Sequence, residues 1–183
     1  MSKLKITRGS TFADTLRWAT SECRLIAGSI AAAAPVVVQA TAHGLPDGWF
    51  VSVEGHPRIA ESSRFAIKRL DADSFSLPCL NGSAFGTTRN VVIRTNTPVD
   101  LAGYTARMHI RDKVGGALLL ELTTENDCIV LDNSVKTISR TISAEDTADI
   151  AWKKGVYDLE MVSGDYVIKI DSGTVEVADE VTA

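Results

Sequence analysis

The feature that most constrains this fold is a strict alternation of apolar and polar side chains over residues 104–111. One side of the segment would carry Tyr104, Ala106, Met108 and Ile110, and the other Thr105, Arg107, His109 and Arg111. A repeat of two residues matches the pleat of a β-strand, and a polar outer face is typical of an antiparallel sheet with one face in water. We therefore predict a half-buried antiparallel sheet.

The rest of the C-terminal half continues this pattern. Further strands are predicted over residues 118–122, 129–131, 135–142, 156–162, 166–170 and 174–178. Turn-forming residues separate them, at Val114-Gly-Gly and at residues 132–134, 163–165 and 171–173. Ser143, with an acid three residues later, predicts one or two helical turns over residues 143–152.

The middle of the chain has shorter strands. They are predicted over residues 35–41, 49–53, 64–70, 75–77 and 91–94, which is typical of a small open barrel. We therefore predict an all-β protein of two domains. Residues 1–28 plus 97–183 would form the first domain, and residues 29–96 would form a small β-barrel inserted into it.

Two sequence stretches connect the middle domain to a known family. They are VVVQATAHGLPDGWFVSVEG over residues 36–55 and FAIKRLDADSFSLP over residues 65–78. They resemble the small β module named after the first catalytic cysteine half-domain of ubiquitin-activating enzymes, which also occurs in phage tail proteins. The resemblance implies a small β fold. It implies no ubiquitin chemistry, which would need an adenylation domain.

Four stretches of the flanking parts carry a second resemblance. They are ITRGSTFADTLRWA (6–19), PVDLAGYTARMHIRD (98–112), TISRTISAEDTADI (137–150) and GVYDLEM (155–161). They resemble the immunoglobulin-like domains at the N-termini of tailed-phage baseplate and fibre-adaptor proteins, such as the baseplate upper protein family. The resemblance implies an immunoglobulin-like β-sandwich, with the barrel inserted in a loop whose lengthening costs little.

The sequence contains no signature of a catalytic or cofactor site. A P-loop, a GxGxxG fingerprint and a GxSxG elbow are absent, and the three histidines lack metal-ligand spacing. We predict no catalytic, cofactor-binding or metal-binding residues and no cofactor, which leaves a small hydrolase as the least favoured class. A net charge of -4 disfavours nucleic acid, and no apolar run approaches the roughly 20 residues of a membrane span.

A few side chains need separate interpretation. His43, in an Ala-His-Gly-Leu corner, is expected to bond the turn backbone, with Gly44 at positive φ and Leu45 inward. Trp49 follows a turn and is the aromatic residue most expected to be exposed. Leu119, within three leucines, is expected to face another subunit or the inserted domain. The three cysteines are expected to be small buried apolar residues in a reducing cytoplasm: Cys23, Cys79 and Cys128.

The resemblances imply a non-enzymatic structural component of a tailed-phage virion. Such a protein would be an adaptor in the tail, baseplate or fibre-attachment region, or a neck or head accessory subunit. Its expected partners are copies of itself in a symmetric ring and other virion proteins. It would be made and assembled in the host cytoplasm, and located in the virion. The alternative is a carbohydrate-binding module for host attachment, with Trp49 as the first glycan contact.

Overall fold

The computed structural model describes residues 2–180 of the chain. Over these residues the all-β prediction is confirmed, since the regular structure consists of fifteen strands and one short helix. The chain forms two compact units. Ala19–Val99 form one unit, which we call the barrel, and the described residues before and after it form the other, which we call the sandwich.

The regular elements have the following limits. In chain order they are β1 Ser2–Thr7, β2 Phe12–Leu16, β3 Ala19–Ala31, β4 Val36–Gln39, β5 Phe50–Glu54, β6 Phe65–Ala66, β7 Lys68–Arg69, β8 Ser74–Leu77, β9 Thr88–Pro98, β10 Thr105–Arg111, β11 Leu118–Thr123, β12 Ile129–Asp132, β13 Thr137–Ile142, α1 Ala144–Ala148, β14 Lys154–Ser163 and β15 Tyr166–Ala178. Strands β3 to β9 belong to the barrel, and the other elements belong to the sandwich.

The sandwich consists of two sheets. The larger has the strand order β1-β15-β14-β10-β11 and the smaller has the order β12-β13-β2. All neighbours are antiparallel except β1, which runs parallel to β15. Immunoglobulin-like sandwiches place their B, E and D strands in one sheet and their G, F and C strands in the other. Here β2, β13 and β12 take the first set of places, and β15, β14 and β10 take the second.

One apolar core lies between the two sheets. Ala106, Met108 and Ile110 of β10 are buried, as the alternation in the sequence predicts. The smaller sheet contributes Ile138 and Ile142 of β13 to the same cluster. Burial of a side chain of this size contributes about 1.5–3 kcal/mol, so this core is the main term that holds the sheets together.

The predicted turn at residues 171–173 is wrong, because β15 continues through it without a break. Its pairing with β14 shifts register between Leu159 and Glu160, which leaves one extra residue in β15. Such a β-bulge bends the strand locally and redirects a side chain. Here the carboxylate of Asp171 accepts a hydrogen bond from the hydroxyl of Tyr157 at 2.8 Å.

The helix α1 is shorter than the predicted segment of residues 143–152. The predicted cap is confirmed, since the Ser143 hydroxyl accepts a hydrogen bond from the backbone N–H of Asp146 at 3.0 Å. Thr147 donates its hydroxyl proton to the Ser10 carbonyl at 2.9 Å, which attaches the helix to the segment before β2. The helix ends before Ile150, whose side chain joins the core.

The barrel is one seven-stranded sheet with the order β6-β5-β9-β3-β4-β8-β7. Its two outermost strands, β6 and β7, are separated in sequence by Ile67 alone. The Ile67 backbone bonds to Gly48 and Trp49 on the side of β5, while Lys68 pairs with Ser76 of β8. The sheet is therefore nearly closed, which leaves few unpaired edges.

The interior of the barrel is filled by alternate residues of its strands. Val36 and Val38 of β4, Val53 of β5 and Phe75 of β8 are fully buried. These strands, together with β9, correspond to those predicted from the sequence. The prediction of a small β-barrel in this segment is confirmed, with β6 and β7 in place of one continuous strand over residues 64–70.

The sequence pattern does not predict β3, the long strand that pairs with β9 from Ala19 opposite Pro98 to Ile30 opposite Thr88. Its first half is polar and exposed, so it shows no alternation. Because both strands belong to the barrel, the two units divide before Ala19 and after Val99. The predicted limits of residues 29 and 96 lie inside these two strands.

Candidate functional site

The clearest concave surface of the sandwich lies on the outer face of its larger sheet. We call it the concave face; it is a depression of about 430 Å³ over β10, β14 and β15. The side chains that matter for its chemistry are Arg107, His109, Arg111, Val114, Asp158, Glu160 and Lys169.

The strands place charged side chains on this face because their apolar neighbours are in the core. On β10, Arg107, His109 and Arg111 alternate with the buried residues between them. Asp158 and Glu160 of β14 alternate in the same way with buried Tyr157 and Leu159. The period of two therefore sorts one strand into an apolar inner row and a charged outer row.

Ion pairs cross the strands of the concave face. Arg107 of β10 binds Glu160 of β14 at 2.8 Å, and Lys169 of β15 binds Asp158 of β14 at 3.3 Å. His109 lies 2.9 Å from Glu121 of β11, on the polar side of the strand, as predicted. Exposed ion pairs of this kind contribute about 0–1 kcal/mol each to the stability of the fold. Their main effect is therefore to hold the charged side chains in defined positions on this face.

Arg111 differs from its neighbours on this face. Its guanidinium donates to the carbonyl of Gly116 at 2.8 Å, and no carboxylate within residues 2–180 forms an ion pair with it. The bond positions the hairpin between β10 and β11, which carries Val114 at its tip. Val114 is 91% exposed. The concave face thus combines an apolar rim with a cation that has no anionic partner on the chain described.

A second charged cluster lies between the sheets of the sandwich, where a buried arginine meets two partly exposed carboxylates. Arg140 of β13 is 2% exposed and forms ion pairs with Asp14 of β2 and, at 3.2 Å, with Asp171 of β15. Tyr157 donates its hydroxyl proton to the same Asp171 carboxylate, and burial raises the pKa of this hydroxyl. In the sequence, Asp14 and Arg140 are charged residues at positions where the alternation of their strands predicts apolar side chains. This mismatch is the signal from which the cluster could have been predicted.

His43 occupies the structural position that the sequence predicts. Its ring Nδ1 accepts a hydrogen bond from the backbone N–H of Leu45 at 3.0 Å, so its Nε2 carries the proton and donates to the Asp71 carbonyl at 3.2 Å. Leu45 is fully buried and Gly44 has a φ of 64°. Both ring nitrogens of His43 are therefore hydrogen-bonded to backbone groups.

His56 forms the same local bond in a second turn. Its Nδ1 accepts the backbone N–H of Arg58 at 3.2 Å, and its ring packs against Phe85. Its Nε2 is buried without a hydrogen-bond partner. Burial lowers the pKa of this imidazole, and the nearby charge of Arg58 lowers it further.

The expectation that Trp49 is exposed is wrong. The side chain is 4% exposed and its indole N–H donates to Thr95 Oγ1 at 2.9 Å and to the Asn96 carbonyl at 3.1 Å. A buried indole needs such partners for its polar edge. The turn before Trp49 directs the ring into the barrel, and the predicted glycan contact is therefore not on the surface.

Two of the three cysteine predictions are also wrong. Cys23 and Cys79 are exposed, Cys128 is partly buried, and all three are free thiols. Cys23 lies on the polar first half of β3, where the Arg94 guanidinium donates to its sulfur at 3.1 Å. Burial raises the pKa of the Cys128 thiol.

Leu119 packs against its own unit, contrary to the expectation that it faces a neighbour. The register between β10 and β11 shifts after Ile110, so that Arg111 pairs with Leu118 and Leu119 becomes the extra residue of a bulge. The bulge turns Leu119 towards the sandwich core near Gly155. Leu118 is instead the exposed leucine.

The described residues offer no cluster of three or more histidine, cysteine or acidic side chains that could hold a metal ion. Within residues 2–180, no helix has the length and apolarity needed to cross a bilayer. No protein-family model matches this chain, and no curated protein matches it.

Proposed function

We propose that this protein is a structural, non-enzymatic subunit of a tailed-phage virion, acting as an adaptor in the tail, baseplate or fibre-attachment region or as a neck or head accessory subunit. The resemblance of the flanking segments to baseplate immunoglobulin-like domains is the reason for naming this class of particle. The observed sandwich and barrel give a physical basis for it, since antiparallel units of this kind present variable loops on a rigid core.

The observation that carries the proposal is a pair of exposed apolar surfaces at opposite ends of one sheet. The hairpin between β10 and β11 exposes Val114 and Leu118, and the hairpin between β14 and β15 exposes Tyr166 and Val167. Single apolar residues scattered on a surface are ordinary, whereas exposed apolar residues that share one hairpin are candidates for a contact site. A subunit of an assembly would bury them.

The test is to find the protein in its particle. Phage particles produced from a genome that carries this gene should contain the chain after purification on a density gradient, as detected by mass spectrometry. Electron microscopy of the same particles should then show density for a sandwich and a barrel at a symmetric position. Particles that are complete and infectious without the chain would contradict the proposal.

A further inference from the structure

The two exposed hairpins of the sandwich lie at opposite ends of its larger sheet. In the β10–β14 ladder, Thr105 pairs with Val162 at one end and Arg111 pairs with Val156 at the other. The turn that connects β14 to β15 follows the first end, and the β10–β11 hairpin follows the second. A single copy therefore cannot bring one hairpin onto the other, but two copies can.

We call the hairpin that connects β14 and β15 the tip; it comprises Ser163, Gly164, Asp165, Tyr166 and Val167. Tyr166 and Val167 are about half exposed, and Asp165 is exposed. No cation within the described residues forms an ion pair with Asp165. The tip therefore combines two apolar groups with one unmatched negative charge.

The concave face has the complementary composition. Its rim carries Val114, and Leu118 lies on the same hairpin. Beside this rim lies Arg111, whose guanidinium bonds the Gly116 carbonyl and forms no ion pair with any carboxylate of residues 2–180. The other charged side chains that line the face are Arg107, Lys169, Asp158 and Glu160, and they form ion pairs with each other. Arg111 therefore supplies the positive charge that an acidic group on a partner could meet.

We infer that the tip of one copy binds the concave face of the next copy, with Asp165 meeting Arg111 and the exposed apolar side chains of the tip contacting the hairpin that carries Val114. This inference rests on the proposed function and specifies which surfaces join the subunits. The contact is heterologous, because different surfaces of the two copies meet. Repetition of a heterologous contact produces a ring where the rotation closes and a filament where it does not.

Mixing two variants tests the head-to-tail character of the contact. Tyr166→Ser with Val167→Ser removes the tip surface, and Val114→Ser with Leu118→Ser removes the facing surface. Sedimentation velocity in reducing buffer should show higher oligomers for the wild type and monomers for each double variant, with the dissociation constant raised about tenfold or more. In a mixture, the intact tip of one variant can bind the intact face of the other. The mixture should therefore form dimers that contain one copy of each variant, and nothing larger, because no intact tip or face remains free in such a dimer.

A charge exchange tests the pairing of the two residues. Asp165→Arg and Arg111→Glu should each weaken association by about tenfold, and the two changes in one chain should restore most of it. The matched control is Leu25→Ser with Leu70→Ser, which removes two exposed apolar side chains from the barrel and should leave association unchanged.

Three results would overturn the inference: a wild type that stays monomeric at high concentration, tip variants that assemble like the wild type, or a mixture that contains monomers only. Circular dichroism of each variant separates a lost contact from a lost fold. The chain could still be present in particles after any of these results. In that case the proposed function stands and the assigned contact fails.

Discussion

Arg140 on β13 and Asp171 on β15 form an ion pair at 3.2 Å that joins the two sheets of the sandwich. The pair stands among apolar residues, at a position where the alternation of β13 calls for a third aliphatic side chain between Ile138 and Ile142. An unpaired charge at such a site is costly, whereas a paired one is tolerated. Each partner is therefore required by the other.

Replacing Arg140 by alanine should destabilise the sandwich strongly. The change opens a cavity and leaves Asp14 and Asp171, which are partly exposed, without their cation. Removal of one partner of a fully buried pair costs about 3–5 kcal/mol, so a loss of about 2–3 kcal/mol is expected here. Urea unfolding followed by circular dichroism measures the loss. Arg107→Ala, which breaks an exposed ion pair on the outer face of the larger sheet, should cost at most about 1 kcal/mol. An equal loss of stability in Arg140→Ala and Arg107→Ala would show that the buried position of Arg140 adds nothing to the cost of removing it.

His56 should make the barrel less stable in mild acid. Because its pKa is lowered from the ordinary value of 6.5 in the folded protein, the unfolded chain binds a proton at higher pH than the folded chain. The stability contributed by the neutral imidazole is therefore complete above the unfolded pKa of about 6.5, and it is lost as the pH falls from there through the lower pKa of the folded protein. Unfolding midpoints measured between about pH 8 and about pH 5 should decrease accordingly.

The variant His56→Gln removes this titration and should flatten the decrease in midpoint. His109→Gln is the control, because His109 lies on the charged outer face and pairs with Glu121. It should leave the pH dependence of the barrel as it is. A slope that is the same in His56→Gln and in the wild type would refute the role given to the buried Nε2.

The three thiols should react at different rates. Cys23 and Cys79 are exposed, whereas Cys128 is partly buried and its thiol has a raised pKa, so less of it is thiolate at neutral pH. A disulfide reagent such as dithionitrobenzoate should modify two thiols of the native protein in a fast phase and the third slowly. Urea should bring all three to one rate, and a native protein with three equal rates would contradict the assignment.

Removal of the barrel should leave a folded sandwich. Ala19 and Pro98 are ladder partners, so their Cα atoms lie about 5 Å apart and a short glycine–serine linker between Trp18 and Asp100 can replace the whole insert. The shortened chain should unfold cooperatively, with most of the stability of the sandwich retained. A shortened protein that lacks a cooperative transition would show that the sandwich depends on the barrel.

Much of this fold follows from local patterns that the sequence displays directly. The alternation over residues 104–111 specifies β10 and its buried face, and Ser143 specifies the start of α1. The Ala-His-Gly-Leu corner specifies the bonds of His43, because a side chain that bonds a backbone group two residues away needs no distant partner. Sequence patterns therefore predict an element correctly where its stabilising contacts are made by residues close together in the chain.

The strands and buried side chains that the sequence did not predict depend on contacts with residues that are far away in the chain. The polar half of β3 is a strand because β9 pairs with it, and β15 continues through residues 171–173 because β14 and, from Gly173 onward, β1 pair with it. Trp49 is buried with its indole N–H donating to Thr95 on the neighbouring strand β9, a partner that is distant in the sequence. The concave face likewise joins β10 to the β14–β15 hairpin, which lies much later in the chain, so no local sequence motif predicts it.

The parallel pairing of β1 with β15 has a mechanical consequence. Ser2 lies opposite Gly173 and Thr7 opposite Ala178, so the first strand of the chain runs beside the last one in the same direction. Tension applied at the start of β1 and the end of β15 would pull these strands along their lengths in opposite directions. Their hydrogen bonds would then bear the load together rather than break one after another, which makes the sandwich a shear-resistant link between whatever is attached to its two ends.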